Sequence, residues 1–265
     1  MMKSRAIGFS EIVASLCANE YSCFAKSITM ITAFDSNKLN KTLEKVWGAL
    51  NFLNDHTDGG FFKLRQVSDS ALLKRASHYK YVNGQKVEDG WMAQIEGIVA
   101  DKPSKVRGDR AELVVFEEAG SNPVLRTSYV QGEALVHVGG NKIGILLAGG
   151  TGGDKGAALA GLQDMYNNPD TYDVLKFRHS YTQSGETILS GFFVPSFKGL
   201  DKEEYIDHRG VCYTEKCKEF YMEERAKKAN SPKALVEYCA EYCFNAEEAF
   251  ALEGENKFNK VLLSE

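Results

Sequence analysis

Residues 113–118 read Leu-Val-Val-Phe-Glu-Glu, and no other stretch constrains the fold of this chain as much. Four apolar residues in a row, without the alternation of a strand that has one wet face, predict a strand buried on both faces, as in a parallel sheet. Two adjacent carboxylates at the carboxyl end of such a strand stand at the crevice where open α/β sheets place their chemistry. That is the layout of a Walker B motif, whose first acid serves a magnesium ion and whose second activates a water for attack on a γ-phosphate. The same residues also suit a buried strand running into a solvated acidic turn. A phosphate-binding loop elsewhere in the chain would decide between the two.

The pattern around this strand alternates. Residues 11–24 place Ile12, Val13, Leu16 and Cys17 on one helical face, and residues 26–34 fit a buried strand. Residues 37–53 carry Leu39, Leu43, Val46, Trp47, Leu50 and Leu53 at helical spacing, with Asp35 or Ser36 as the cap. Asn83-Gly84 is a type I′ hairpin signal, lying between Tyr79/Tyr81 and an apolar segment at 91–99. A helix is expected after Pro123, a second buried strand at 143–148, and a loop at 149–154. Residues 172–197 are extended and aromatic. Two helices follow at 214–229 and 232–243, the second with Ser231 as cap and Pro232 at its first position. This order predicts an α/β fold with a mostly parallel sheet and a helical lid or subdomain. No leading strand is expected, because the chain opens on Met1-Met2-Lys3-Ser4-Arg5 and a helical pattern follows at once.

With 265 residues and 43% hydrophobic content the chain can build one substantial core. A net charge of −4 without a long basic run argues against a passive coat for nucleic acid, though a local DNA-touching patch is allowed. The six cysteines have no signal peptide before them, which points to free thiols in a reducing cytoplasm. No apolar run approaches the ~18–20 residues that span a bilayer.

The opening KSRAIGFSE, Lys3 to Glu11, is where a phosphate cradle can be sought. Such a cradle needs backbone N–H groups at a helix N-terminus, a glycine at the close approach, a cation, and a hydroxyl for Mg²⁺. Residues 3–10 contain all of these, although Phe9 stands where the lysine of G-K-[ST] normally does. The same residues also suit a capped amphipathic helix with a basic lead-in.

Four segments in this order resemble the ATPase domain of the large terminase subunit of tailed bacteriophages. KSRAIGFSE is similar to that family's deviant Walker A, with the lysine at the front of the loop. RGDRAELVVFEEAG is similar to its Walker B region, ILLAGGTGGD to its coupling motif, and EYCFNAEEAFALEG (241–254) to the EYP-x-T-P-E-E-A-F stretch that closes the domain. The resemblance implies a P-loop NTPase of the RecA-like class, with ATP and Mg²⁺ as cofactors. It implies a core at 1–200 lacking its first strand, a helical lid and closing segment at 201–254, and at 255–265 the start of a linker to a nuclease that lies outside this chain. Lys3, Ser4, Arg5, Gly8, Phe9 and Ser10 would hold the nucleotide, with Arg5 a candidate arginine finger in cis. Ser10 and Glu117 would serve the metal, Glu118 would be the catalytic base, and Thr151 the coupling residue. Double-stranded DNA, a portal protein, a small terminase subunit and a homo-oligomeric ring are the implied partners, in the cytoplasm of an infected host. Glu117 departs from the family's more usual Asp.

Other readings remain open. Cys212/Cys217 and Cys239/Cys243 have spacings compatible with zinc, but their aromatic neighbours Tyr238, Tyr242 and Phe244 favour core packing. Arg107 is read as orienting the acidic strand or facing DNA. Arg178-His179 and Asp207-His208-Arg209 read as polar turns. Two functional alternatives to the motor are a helicase-like DNA-dependent ATPase and a nucleotide-incompetent piece that only binds a partner.

Overall fold

The computed structural model describes residues 1–108, 110–152 and 157–251. In chain order its elements begin with β1 (Met2–Lys3), α1 (Phe9–Cys23), β2 (Ile28–Ala33), α2 (Ser36–His56), β3 (Ser68–Asp69), β4 (Leu73–Arg75), β5 (His78–Val82), β6 (Gln85–Asp89) and β7 (Gln94–Val99). They continue with β8 (Leu113–Glu117), α3 (Leu125–Glu133), β9 (His137–Val138), β10 (Asn141–Lys142), β11 (Ile145–Gly149) and α4 (Ala157–Asn167). The last are β12 (Phe177–His179), β13 (Ile188–Ser190), β14 (Phe193–Val194), α5 (Thr214–Ala226), α6 (Pro232–Glu241) and α7 (Ala246–Phe250). Contacts divide the chain into two compact units. One joins Met1–Gly8, Glu118–Arg126 and the chain from Gly149 onward; the other joins Phe9–Glu117 with Thr127–Ala148.

The second of these units is built on a six-stranded sheet in the order β11-β8-β2-β7-β4-β3. Its centre is parallel: β2 pairs with β8 from Thr29↔Leu113 to Thr32↔Phe116, and with β7 from Ile28↔Gln94 to Ala33↔Val99. Its edge turns antiparallel at β4. An interior position accounts for the unbroken apolar run of β8, whose every residue is buried, Glu117 included. Burying each such apolar side chain contributes about 1.5–3 kcal/mol.

The sheet carries α1 and α2. Asp35 caps α2, its carboxylate accepting from Asn37 N at 2.9 Å and Lys38 N at 3.1 Å, and Leu39, Leu43, Val46 and Leu50 are buried. On α1 the buried stripe is Phe9, Val13, Cys17 and Tyr21 with Ala14 and Ala18. Ile12 and Leu16, expected on that face, are instead 53% and 43% exposed. Both stripes are apolar, so the pattern alone cannot choose between them, and spacing of four from Phe9 wins. The hairpin expected at Asn83-Gly84 forms, both residues having positive φ, but its second strand is β6; the 91–99 segment supplies β7, a separate strand of the large sheet. The strand expected as buried at 143–148 is β11, which is the sheet's edge, and Ile145 is 64% exposed.

In the first unit, β1 pairs in parallel with β14 (Met2↔Phe193, Lys3↔Val194), and Gly150 bridges to Met2. A leading strand therefore exists where none is expected from the sequence. Two residues are too few to carry a periodicity. Helices α5 and α6 form as expected, but Ser231 makes no side-chain capping bond, and α6 ends at Glu241. Arg225 on α5 grips Glu248 on α7 with two hydrogen bonds, at 2.9 and 2.7 Å, and also donates to Tyr242 O at 3.0 Å. Both side chains are 17% exposed, so removing either partner would leave a largely desolvated charge.

Cys217 packs with Phe197 and Tyr221 against Cys212, Tyr238, Tyr242 and Phe244. Burial pushes the Cys217 thiol up, so it stays protonated at neutral pH. Among the described residues no group of three or more His, Cys, Asp or Glu is placed to hold a metal ion. His179 is not in a solvated turn. Its Nε2 lies 2.9 Å from both Tyr166 Oη and Ser190 Oγ, and its Nδ1 accepts from Tyr181 N at 3.1 Å. Asp207 does form a turn, its carboxylate accepting from Arg209 N and Val211 N.

Candidate active site

Ser10 sits in the first turn of α1, and Glu117 is the last residue of β8. Ser10 Oγ donates to Glu117 Oε1 at 2.5 Å, across 107 positions of sequence. Glu117 is only 3% exposed, and a carboxylate so deep requires polar partners. Further along α1, Cys17 is fully buried. Its thiol is pushed up to about 12, first by burial and then by the negative charge of Glu117. Cys17 therefore stays a neutral thiol at neutral pH. A hydroxyl and a carboxylate oxygen in contact are the donor set that a hard cation such as Mg²⁺ prefers.

The other site residues belong to the first unit. Residues 4–8 form the loop that leaves β1 and leads into α1; Ala6 takes φ 61° and Gly8 φ 74°. Lys3 is 8% exposed and Ser4 fully buried, whereas Arg5 and Gly8 are exposed. The Phe9 side chain is buried in the α1 stripe, which leaves its backbone N–H as its contribution at the helix start. Arg5 is held by Glu241: its Nε lies 2.8 Å from Glu241 Oε2, and its N–H donates to Glu241 O at 2.9 Å.

Glu118 adopts the left-handed conformation, φ 50° and ψ 43°. A non-glycine residue there costs about 1–2 kcal/mol, which the surroundings must impose. Its carbonyl is pinned by Ser121, which donates from both N (2.9 Å) and Oγ (3.0 Å). The resulting 3₁₀ turn, Ala119–Ser121, presses against the loop after β11. A Cβ placed on Gly120 would meet Thr151 O at 2.1 Å. The same loop backs onto α7, where a Cβ on Gly152 would meet Ala249 O at 1.9 Å. Lys3 N donates to Gly150 O at 3.1 Å. Within this unit all four sequence segments touch in a circuit: the opening loop to Gly150, Thr151 to Gly120, Gly152 to Ala249, and Glu241 back to Arg5.

The solved large terminase ATPase domain of Thermus phage P74-26 superposes on the chain with a TM-score of 0.59 at 17% identity, covering 92% of this chain and 86% of that one. A point mutant of that domain matches with a TM-score of 0.61 at the same identity and coverage. The fold is that of a phage large-terminase ATPase domain. No protein-family model and no curated protein sequence matches the chain.

Ser10 and Glu117 are brought into contact, and the Glu118 turn is brought against Thr151. Arg5 is brought to Glu241, a residue of the 241–254 segment to which the sequence alone assigns no role. Arg107 is exposed. Asp109, Gly153, Asp154 and residues 252–265, which fall in the quoted segments or the expected linker, lie outside the described residues. Among the described residues no helix is long and apolar enough to cross a membrane.

Proposed function

We propose that this chain is an ATP-hydrolysing motor domain of the RecA-like P-loop class, acting in phage DNA packaging. The observation that carries the reading is the Ser10–Glu117 contact, since it joins the helix after the opening loop to the acid that ends the interior strand β8. In this reading Lys3, Ser4, Arg5, Gly8, Phe9 and Ser10 bind the polyphosphate. Ser10 and Glu117 hold Mg²⁺, which when bound would neutralise phosphate charge and orient the β- and γ-phosphates. Glu118 accepts the proton of the attacking water on its carboxylate. Arg5 offers a planar, permanently charged fork to phosphate oxygens. Thr151, in backbone contact with the turn that follows Glu118, can relay a change there into the loop after β11.

The wider assignment follows the same line. The core at 1–200 would hydrolyse ATP, and the helical segment 201–254 would serve as its lid. Duplex DNA, a portal protein, a small terminase subunit and further copies in a ring are the proposed partners in an infected cell. The reading is tested by steady-state phosphate release from the purified chain with Mg²⁺ and ATP, with and without duplex DNA. Turnover on the order of 1–10 s⁻¹ that rises with DNA is expected. Absence of turnover under both conditions would favour a nucleotide-incompetent binding piece.

A further inference from the structure

Glu241, the last residue of α6, makes three contacts with the opening loop. Its carbonyl accepts from Arg5 N at 2.9 Å and from Ser4 Oγ at 3.1 Å, and its carboxylate Oε2 lies 2.8 Å from Arg5 Nε. The carbonyl contacts anchor the loop whatever side chain position 241 carries. The carboxylate reaches the guanidinium. These two jobs can be separated by mutation.

We infer that Glu241 is a positioning residue that parks the Arg5 guanidinium, and that the phosphates of an incoming nucleotide compete with its carboxylate for that arginine. The inference rests on the reading of Arg5 as a phosphate contact. The Arg5 side chain is 60% exposed, while Glu241 Oε2 is buried and its contact with Arg5 lacks hydrogen-bond geometry, so the ion pair holds weakly and the guanidinium stays open to a ligand. A triphosphate offers several anionic oxygens to the same fork, in charge-assisted bonds of the same kind. Arginine keeps its charge throughout, so the exchange needs no proton transfer.

The backbone behind Glu241 is fixed. Tyr242 O accepts from Arg225 Nη2 at 3.0 Å and from Ser196 Oγ at 3.3 Å, while Cys243 O accepts from Ser196 N at 2.9 Å. Arg225 in turn is clamped by Glu248. With the two following residues tied, the carboxylate is the part of residue 241 left to let go. Occupied and vacant states of the loop then differ in the partner of Arg5, and through it in the load on the end of α6.

The test is calorimetric titration of a non-hydrolysable ATP analogue with Mg²⁺ into the full chain and into Glu241→Gln, Arg5→Gln and the double variant. Glu241→Gln, which keeps size and carbonyl, should bind about two- to fivefold more tightly, because a competitor is gone. Arg5→Gln should bind more weakly, and in that background Glu241→Gln should change nothing. A purely structural role for Glu241 predicts the opposite sign. Unchanged or weaker binding by Glu241→Gln, or its failure to fold, would overturn the latch while leaving the phosphate-loop reading intact. No binding by the unaltered chain would overturn both.

Discussion

Glu118→Gln should lower ATP turnover by about a thousandfold or more while changing nucleotide affinity by less than about threefold. A positioned general base contributes about 10²–10⁴ in rate, and glutamine keeps the shape of the side chain without its capacity to take a proton. The backbone there should hold. What fixes the left-handed turn is the pair of Ser121 bonds to the Glu118 carbonyl, which the substitution leaves in place. Loss of kcat without loss of affinity separates Glu118 from the residues assigned to phosphate and metal. Single-turnover phosphate release alongside fluorescence titration with a labelled ATP analogue would measure both. Retention of a tenth or more of the turnover would remove Glu118 from the role of base.

Gly152→Ala should cost about 3 kcal/mol of folding stability and lower the thermal midpoint by about 6–12 °C. The added Cβ would stand 1.9 Å from Ala249 O and 2.6 Å from Ala249 C. Carbon–oxygen contacts in proteins rarely close below about 3.3 Å. The obstruction is backbone rather than a side-chain tip, so no rotamer change relieves it. Either α7 or the loop after β11 must move, and that loop carries Thr151 beside the Glu118 turn. A scanning-calorimetry midpoint within about 2 °C of the unaltered chain would show that the loop does not approach α7 this closely.

The elements legible in the sequence are those whose physics is local. The apolar run 113–116 signals an interior strand because burial on both faces leaves no alternation to look for. Asp35 announces α2 because its carboxylate bonds N–H groups only two and three residues on. Asn83-Gly84 announces its hairpin because both positions need positive φ. Failures occur where the deciding contact is distant or the choice degenerate. Of the four residues expected on one face of α1, Val13 and Cys17 are buried together with Phe9, while Ile12 and Leu16, each one position earlier and equally apolar, are exposed. Strand β1 owes its existence to β14, some 190 residues later in the chain, as the Met2↔Phe193 pairing shows. Ser4 and Glu241 meet across 237 positions, and nothing near either residue announces it.

The candidate site was legible as separate pieces rather than as an arrangement. Each acid and hydroxyl could be named from its neighbours in sequence, because motif chemistry depends on residue type and order. Their mutual placement could not, since it is set by the parallel pairing of β2 with β8 and by the packing of α1 on that sheet.

Whether Ser10 and Glu117 form one cation-dependent nucleotide site can be measured by calorimetric titration of ATP with Mg²⁺ and then with excess chelator. Affinity should be about tenfold or more higher with Mg²⁺, and the dependence on the cation should be largely abolished in Ser10→Ala while cation-free affinity is retained. Equal affinity with and without Mg²⁺, or a full Mg²⁺ dependence surviving Ser10→Ala, would contradict it.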